Sequence, residues 1–310
     1  MSDIRIGFIG LGNMGGAMAK RLASEGFSLT VYDLVKEAVE KLESVGATAA
    51  KSSRETAAAS DVIFSMVRDI PETDEVIFGK DGVWQGISEG KTVVISSSIG
   101  PAYCRELYEK AKQRGVHVID CGVSDPTVFR HEPGALTLMI SGDEDVVRQC
   151  WPVFEAMGKN VFYLGKIGNG QAHKLINNMT IKHIGAVERL CLIECLNLGL
   201  KVGLDLRKMI DVMSVNAGSR VIQNMGFKAG LDEKQILEAL RIPVARASGR
   251  EVRHKDELDY GMEMADELGV EMPVCKFIDE LDAGSMYDEY LSLQKDILSG
   301  RGKIVFQHSN

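Results

Sequence analysis

Short apolar, β-branched runs separated by helical patterns fill the first half of the chain and then stop, and no other feature restricts the possible folds as much. Ile4–Ile9, Leu29–Tyr32, Val62–Met66, Thr92–Ser96, Val116–Cys121, Leu136–Ser141 and Val161–Leu164 read as strands. Strands that alternate with helices build a mostly parallel sheet covered on both faces, because each crossover lays a helix over the sheet. After Gly165 the strand signal ends, and apolar residues recur at three- and four-residue spacing. With 310 residues there is room for two domains. The expected division is a doubly wound α/β domain over 1–165 and an all-α domain over 166–310, led by a long interdomain helix from about Gly170 to Gly199.

Gly10-Leu11-Gly12-Asn13-Met14-Gly15 follows the first strand and opens a predicted helix, Asn13–Ser24. In that context a Gly-x-Gly-x-x-Gly run marks a Rossmann-type dinucleotide site. Gly10 permits the tight turn, Gly12 lets backbone approach a pyrophosphate, and Gly15 lets helix and strand pack closely. The helix N-terminus supplies N–H donors and the positive end of its dipole. Asp33 ends the second strand, where a carboxylate can accept hydrogen bonds from the adenosine ribose hydroxyls and repels a 2′-phosphate. NAD is therefore expected over NADP. Lys36 is the one nearby cation that could soften that preference.

Charge and cysteine use remove other classes. The formal net charge is −8 with no basic run, so nucleic acid is not expected as a partner. The 6 cysteines form no Cys-x-x-Cys pair and have no accompanying His spacing, which argues against zinc and disulfides and for reduced core residues. Cys191 and Cys195, one helical turn apart, are read as apolar packing. No apolar stretch reaches the ~18 residues of a membrane span. The start shows no leader pattern, so a soluble cytoplasmic protein is expected.

Gly168-Asn-Gly170-Gln-Ala-His-Lys174-Leu-Ile-Asn177-Asn178 opens the long helix. Lys174 and Asn178 share a helix face, while Asn177 falls about 100° round the axis. A lysine and an amide on one face suit a site that moves a hydroxyl proton while a hydride leaves.

With Gly10–Gly15 and Met18-Ala19, Asp120-Cys-Gly-Val-Ser124, the Gly168–Asn178 segment and His254-Lys255-Asp256-Glu-Leu258, the chain resembles the β-hydroxyacid dehydrogenase family, to which 3-hydroxyisobutyrate dehydrogenase belongs. The resemblance implies an NAD-dependent oxidoreductase that interconverts a CH–OH group and a carbonyl on a small polar 3-hydroxy acid or hydroxy-sulfonate, as an alcohol dehydrogenase or semialdehyde reductase. It makes Lys174 the catalytic lysine, Asn178 the amide that orients substrate, Ser124 a substrate anion contact and Lys255 a residue near the nicotinamide. Ser98 falls where the family has a cofactor-contacting threonine, and Val67 in a loop that lines the nucleotide. It also implies a homodimer or homotetramer built through the helical domain, which closes over substrate. The alternatives are an imine reductase on the same fold, which the lysine disfavours, and a non-catalytic NAD(H)-binding protein.

The match departs in the substrate loop. Two glycines usually follow the serine, whereas here it reads Ser124-Asp125-Pro126-Thr127, with Arg130 and His131 further on. Pro126 has no N–H to give, and Asp125 carries a charge of the wrong sign for an anionic substrate. Either Arg130 or Thr127 replaces the lost donors, or Asp125 binds an extra hydroxyl or amine on the substrate, or Asp125 caps a turn. Lys182, two turns after Lys174, reads as a solvated or ion-paired lysine. Cys121-Gly122 stand where Ala-Pro is usual, and the segment 226–250 fits the family pattern poorly.

Overall fold

The computed structural model describes residues 4–124, 135–216, 230–232, 235 and 257–280. Eight strands form one sheet: β1 (Arg5–Ile9), β2 (Ser28–Tyr32), β3 (Thr48–Ala49), β4 (Val62–Ser65), β5 (Thr92–Ile95), β6 (His117–Ser124), β7 (Thr137–Ser141) and β8 (Asn160–Tyr163). Their order is β3-β2-β1-β4-β5-β6-β7-β8. The first six run parallel to their neighbours, β7 is antiparallel to β6, and β8 is parallel to β7.

The sheet is thus mostly parallel, as the alternation implies. The seven expected strands are present. The pattern missed β3, whose two exposed residues are too few to show a period.

Six helices cover the sheet: α1 (Asn13–Ser24), α2 (Lys36–Glu43), α3 (Ser53–Ala59), α4 (Ile70–Phe78), α5 (Pro101–Lys112) and α6 (Glu144–Met157). Burial on both sides explains why the central strands β1, β4, β5 and β6 are apolar runs instead of alternating ones. One core layer gathers Phe8, Phe64, Ile119, Leu138 and Phe154, with Phe8 and Phe64 stacked at 5.4 Å. The opposite layer gathers Ile9, Ile63, Ile95, Cys104 and Val118.

After β8 every described regular element is a helix: α7 (Asn169–Lys201), α8 (Leu206–Ser214), α9 (Glu257–Glu267) and α10 (Pro273–Glu280). The described residues divide into two compact units. The first runs through Asn178 and includes α9; the second begins at Met179 and includes α8 and α10. The division falls at Asn178, beyond the 165 read from the sequence, and so the opening turns of α7 pack with the sheet.

Candidate active site

The chain reverses direction across the sheet between β1 and β4, the switch point at which open α/β sheets bind ligands. Gly10 adopts φ +90, and a Cβ there would lie 2.3 Å from the Met66 carbonyl oxygen. A Cβ on Gly15 would lie 2.1 Å from the Gly10 oxygen. Both positions are therefore glycine for the fold's own sake. Gly12 differs, since a Cβ there would meet nothing within 4 Å. Its bare backbone faces open space, which suits a bound group and is not required by packing.

Helix α1 starts there with no acidic side chain in its first turn, leaving its positive end for an anion. Asp33 is tied down from both sides: Leu11 N donates to Oδ2 at 2.5 Å and Val35 N to Oδ1 at 2.7 Å. Gly10, Gly12, Asn13, Met14, Gly15, Asp33 and Val67 line one open cleft of about 440 Å³. Leu11 turns its side chain into the core. These features fit a dinucleotide. Arg68, which the sequence reading did not single out, also lines the cleft, with its guanidinium ion-paired to Glu72. Lys36 is exposed at the start of α2.

The acid–base candidates stand on α7. Asp120, a charged residue inside the apolar strand β6, is 0% exposed. Its carboxylate accepts hydrogen bonds from Gly168 N and Gln171 N, both at 2.7 Å, and from the Ser141 hydroxyl. Ser141 Oγ in turn accepts from Gly170 N at 2.9 Å. Side chains of β6 and β7 thereby cap the otherwise orphaned N–H groups of α7. Burial raises the Asp120 pKa, against the pull of these donors.

The antiparallel course of β7 makes this cap possible. It brings Ser141 opposite Asp120, which itself pairs with Ile95 at the end of β5.

Side chains alternate along a strand, so Asp120, Gly122 and Ser124 share one face of β6. Asp120 caps α7 on that face, and a Cβ on Gly122 would lie 2.9 Å from Lys174 Cβ and from the Gly170 oxygen. This explains the glycine in Cys121-Gly122: the helix lies too close for any side chain. Lys174 is 6% exposed, an uncommon environment for a lysine. Asn178 follows one turn later, half-buried, and Asn177 Nδ2 donates to its Oδ1 at 3.2 Å. Ser124 is half-buried at the end of β6. Ser98, half-buried, lies on the loop after β5; the preceding Ser97 carbonyl accepts from Gln171 Nε2 at 2.8 Å.

Asp125, Thr127, Arg130, His131 and Lys255 lie outside the described residues, as do the side chain of Lys182 and most of 226–250. Among the described residues no group of three or more His, Cys, Asp or Glu could hold a metal ion. No described helix is long and apolar enough to cross a membrane. Cys104, Cys121 and Cys150 are buried, but Cys195 is exposed and Cys275 partly so. The expectation of core cysteines is corrected there: Cys195 is exposed, in an open cleft that α7 shares with α8.

Residues 5–165 match the NAD binding domain of 6-phosphogluconate dehydrogenase. The chain is 36% identical over 214 residues to the NAD-dependent L-serine dehydrogenase of Pseudomonas aeruginosa, which covers 69% of this chain and 70% of that one. It belongs to the β-hydroxyacid dehydrogenase family. With the family come its cofactor, NAD, and its class of chemistry, oxidation and reduction at a CH–OH carbon. The mouse mitochondrial 3-hydroxyisobutyrate dehydrogenase is 33% identical over 217 residues, 70% of this chain but 63% of the mouse enzyme's length. The crystal structure of 3-hydroxyisobutyrate dehydrogenase from Salmonella typhimurium superposes with a TM-score of 0.71 at 25% identity, covering 93% of this chain and 96% of that one.

Proposed function

We propose that this family member interconverts the alcohol of a small polar 3-hydroxy acid, or of a hydroxy-sulfonate, and the corresponding semialdehyde, with Lys174 as the general acid–base. The observation that carries the reading is the placement of Lys174: a buried lysine in the first turns of a helix whose start is capped by Asp120, against a strand made bare at Gly122. Burial of a lysine is uncommon, and here it sets the amine in the compact unit that carries the nucleotide cleft, on a turn fastened to β6 and β7. NAD, when bound, supplies the hydride acceptor. Lys174 Nζ takes the hydroxyl proton in oxidation and returns it in reduction. Asn178, on the same face of α7, orients the oxygen, and Ser124 on the facing strand holds the acid group.

The substrate class rests on two relatives named for L-serine and 3-hydroxyisobutyrate. Each is a small acid with a hydroxymethyl group next to the carbon that bears the carboxylate. Asp125, Thr127 and Arg130 are proposed to select among such acids, Lys255 to contact the nicotinamide end of the cofactor, and Ser98 to contact the cofactor. A homodimer or homotetramer is supported by exposed Ile181, Ile184, Val187 and Leu198 on α7.

The test follows NADH absorbance with wild type and Lys174→Ala against 3-hydroxyisobutyrate, serine, glycerate, threonate and dihydroxypropanesulfonate. Turnover by wild type, lost in the variant while NADH binding persists, is the expected result. Turnover that survives in Lys174→Ala would overturn the assignment.

A further inference from the structure

Gln171 is fully buried one turn before Lys174, and it reaches in two directions. Its backbone N–H is held by Asp120 at 2.7 Å. Its side-chain Nε2 donates to the carbonyl of Ser97 at 2.8 Å, across to the loop after β5. The Ser97 hydroxyl accepts from Val67 N at 2.9 Å, and Val67 lines the dinucleotide cleft. An unbroken chain of hydrogen bonds thus runs from the wall of the cofactor cleft, through Ser97, to the helical turn that carries Lys174.

The choice of glutamine is informative because Gln171 Oε1 is buried with no hydrogen-bond partner among the described residues. An unpaired buried acceptor costs free energy that a methionine of similar length would not incur. Nε2 satisfies the buried Ser97 carbonyl, whereas Oε1 carries the cost of an unpaired acceptor, so only half of the amide serves the fold.

We propose that Gln171 is a positioning residue that couples the seating of the cofactor to the placement of Lys174. The proposal rests on the reading of Lys174 as the acid–base group. A nucleotide pressing on the Val67 wall shifts or stiffens Ser97, and the amide transmits this to the first turn of α7. The lysine is then in register only when cofactor is in place. Coupling of this kind needs a contiguous path between two sites that both bias one element, and the Val67–Ser97–Gln171 chain is such a path.

The experiment compares wild type, Gln171→Met and Ser97→Ala by amide hydrogen exchange over the peptide 168–178, with and without NADH, alongside kcat and KM. In wild type, NADH slows exchange of this peptide by about fivefold or more. In both variants NADH binds within about twofold of wild type, yet the protection disappears and kcat falls about tenfold or more with KM unchanged. Should Gln171→Met fail to fold, Ser97→Ala decides alone, since it cuts the same chain at the Val67 end and leaves α7 untouched. NADH-dependent protection and kcat that both stay at wild-type levels in the folded variants would overturn the coupling. Lys174→Ala separates the two claims: if it retains turnover, the acid–base reading fails; if it is inactive while the Gln171 and Ser97 variants behave as wild type, only the coupling fails.

Discussion

Gly122 on β6 and Lys174 on α7 are in such close contact that a methyl group added to Gly122 would lie 2.9 Å from Lys174 Cβ. The nearest carbonyl, that of Gly170, would also be only 2.9 Å away and is backbone, so the helix cannot yield by a rotamer change.

Gly122→Ala is therefore expected to push the first turns of α7 outward and displace the lysine. A shift on the order of 1 Å at a reacting group costs about a hundredfold in kcat. NADH affinity, which depends on the β1–α1 loop, is expected to stay within about twofold of wild type. Steady-state kinetics with NADH titration by fluorescence separates the two, and a wild-type kcat would show that Lys174 tolerates displacement.

Asp33 holds Leu11 N and Val35 N through separate oxygens. Asp33→Ala is expected to weaken NADH binding by about ten- to a hundredfold, the equivalent of one or two charge-assisted hydrogen bonds. It should also narrow the preference over NADPH, because the repulsion toward a 2′-phosphate is gone. The ratio of kcat/KM for the two cofactors is the measurement; an unchanged ratio would shift attention to Lys36 and Arg68.

Asp120→Asn leaves Gly168 N, Gln171 N and the Ser141 hydroxyl facing an amide with one acceptor and two donors of its own. Urea unfolding is expected to register a loss of about 3 kcal/mol. Burial raises the Asp120 pKa above its ordinary 3.8. A carboxyl with a raised folded pKa adds stability below its unfolded value and loses that contribution as pH climbs through the folded value. The gap between wild type and Asp120→Asn is then widest in acid and narrows as pH rises from about 4 toward neutrality. A gap that grows with pH would mean that the three donors outweigh desolvation.

Thiol labelling of native protein is expected to reach Cys195 and to spare Cys104, Cys121 and Cys150. Burial pushes the Cys121 thiol up to about 12 and Cys150 to about 11, so neither forms thiolate near neutral pH. Peptide mapping before and after unfolding checks this. Protection of Cys195 in the native protein would indicate that its face of α7 is covered in the assembled enzyme.

Much of this was legible in the sequence, for definite reasons. Gly10 to Gly15 carry their geometry in their spacing, since a turn and a close approach admit no side chain. The long helix is recognisable because its apolar period persists through Gly199, close to the observed end at Lys201. Other features leave no local trace. The two residues of β3 are too short to form a pattern, and strand composition does not reveal that β7 runs against β6. Asp120 belongs to the Asp120–Ser124 motif, yet its capping role depends on Gly168 and Gln171, which reach it only through tertiary contact. The signal available was a carboxylate within the apolar run Val118-Ile-Asp120-Cys-Gly-Val123, because a charge there needs partners. Gly122 departs from the proline usual in the family, and only the close approach of α7 explains it.

The division at Asn178 makes one helix serve two structural allegiances. Its opening turns are fastened to β6 and β7, whereas the rest of α7 belongs, with α8 and α10, to the second compact unit. A single residue inserted into α7 past Asn178 would turn the rest of that helix by about 100° and leave the lysine where it stands. The nucleotide cleft and Lys174 thus lie in one compact unit, and changes confined to the second unit leave both where they are.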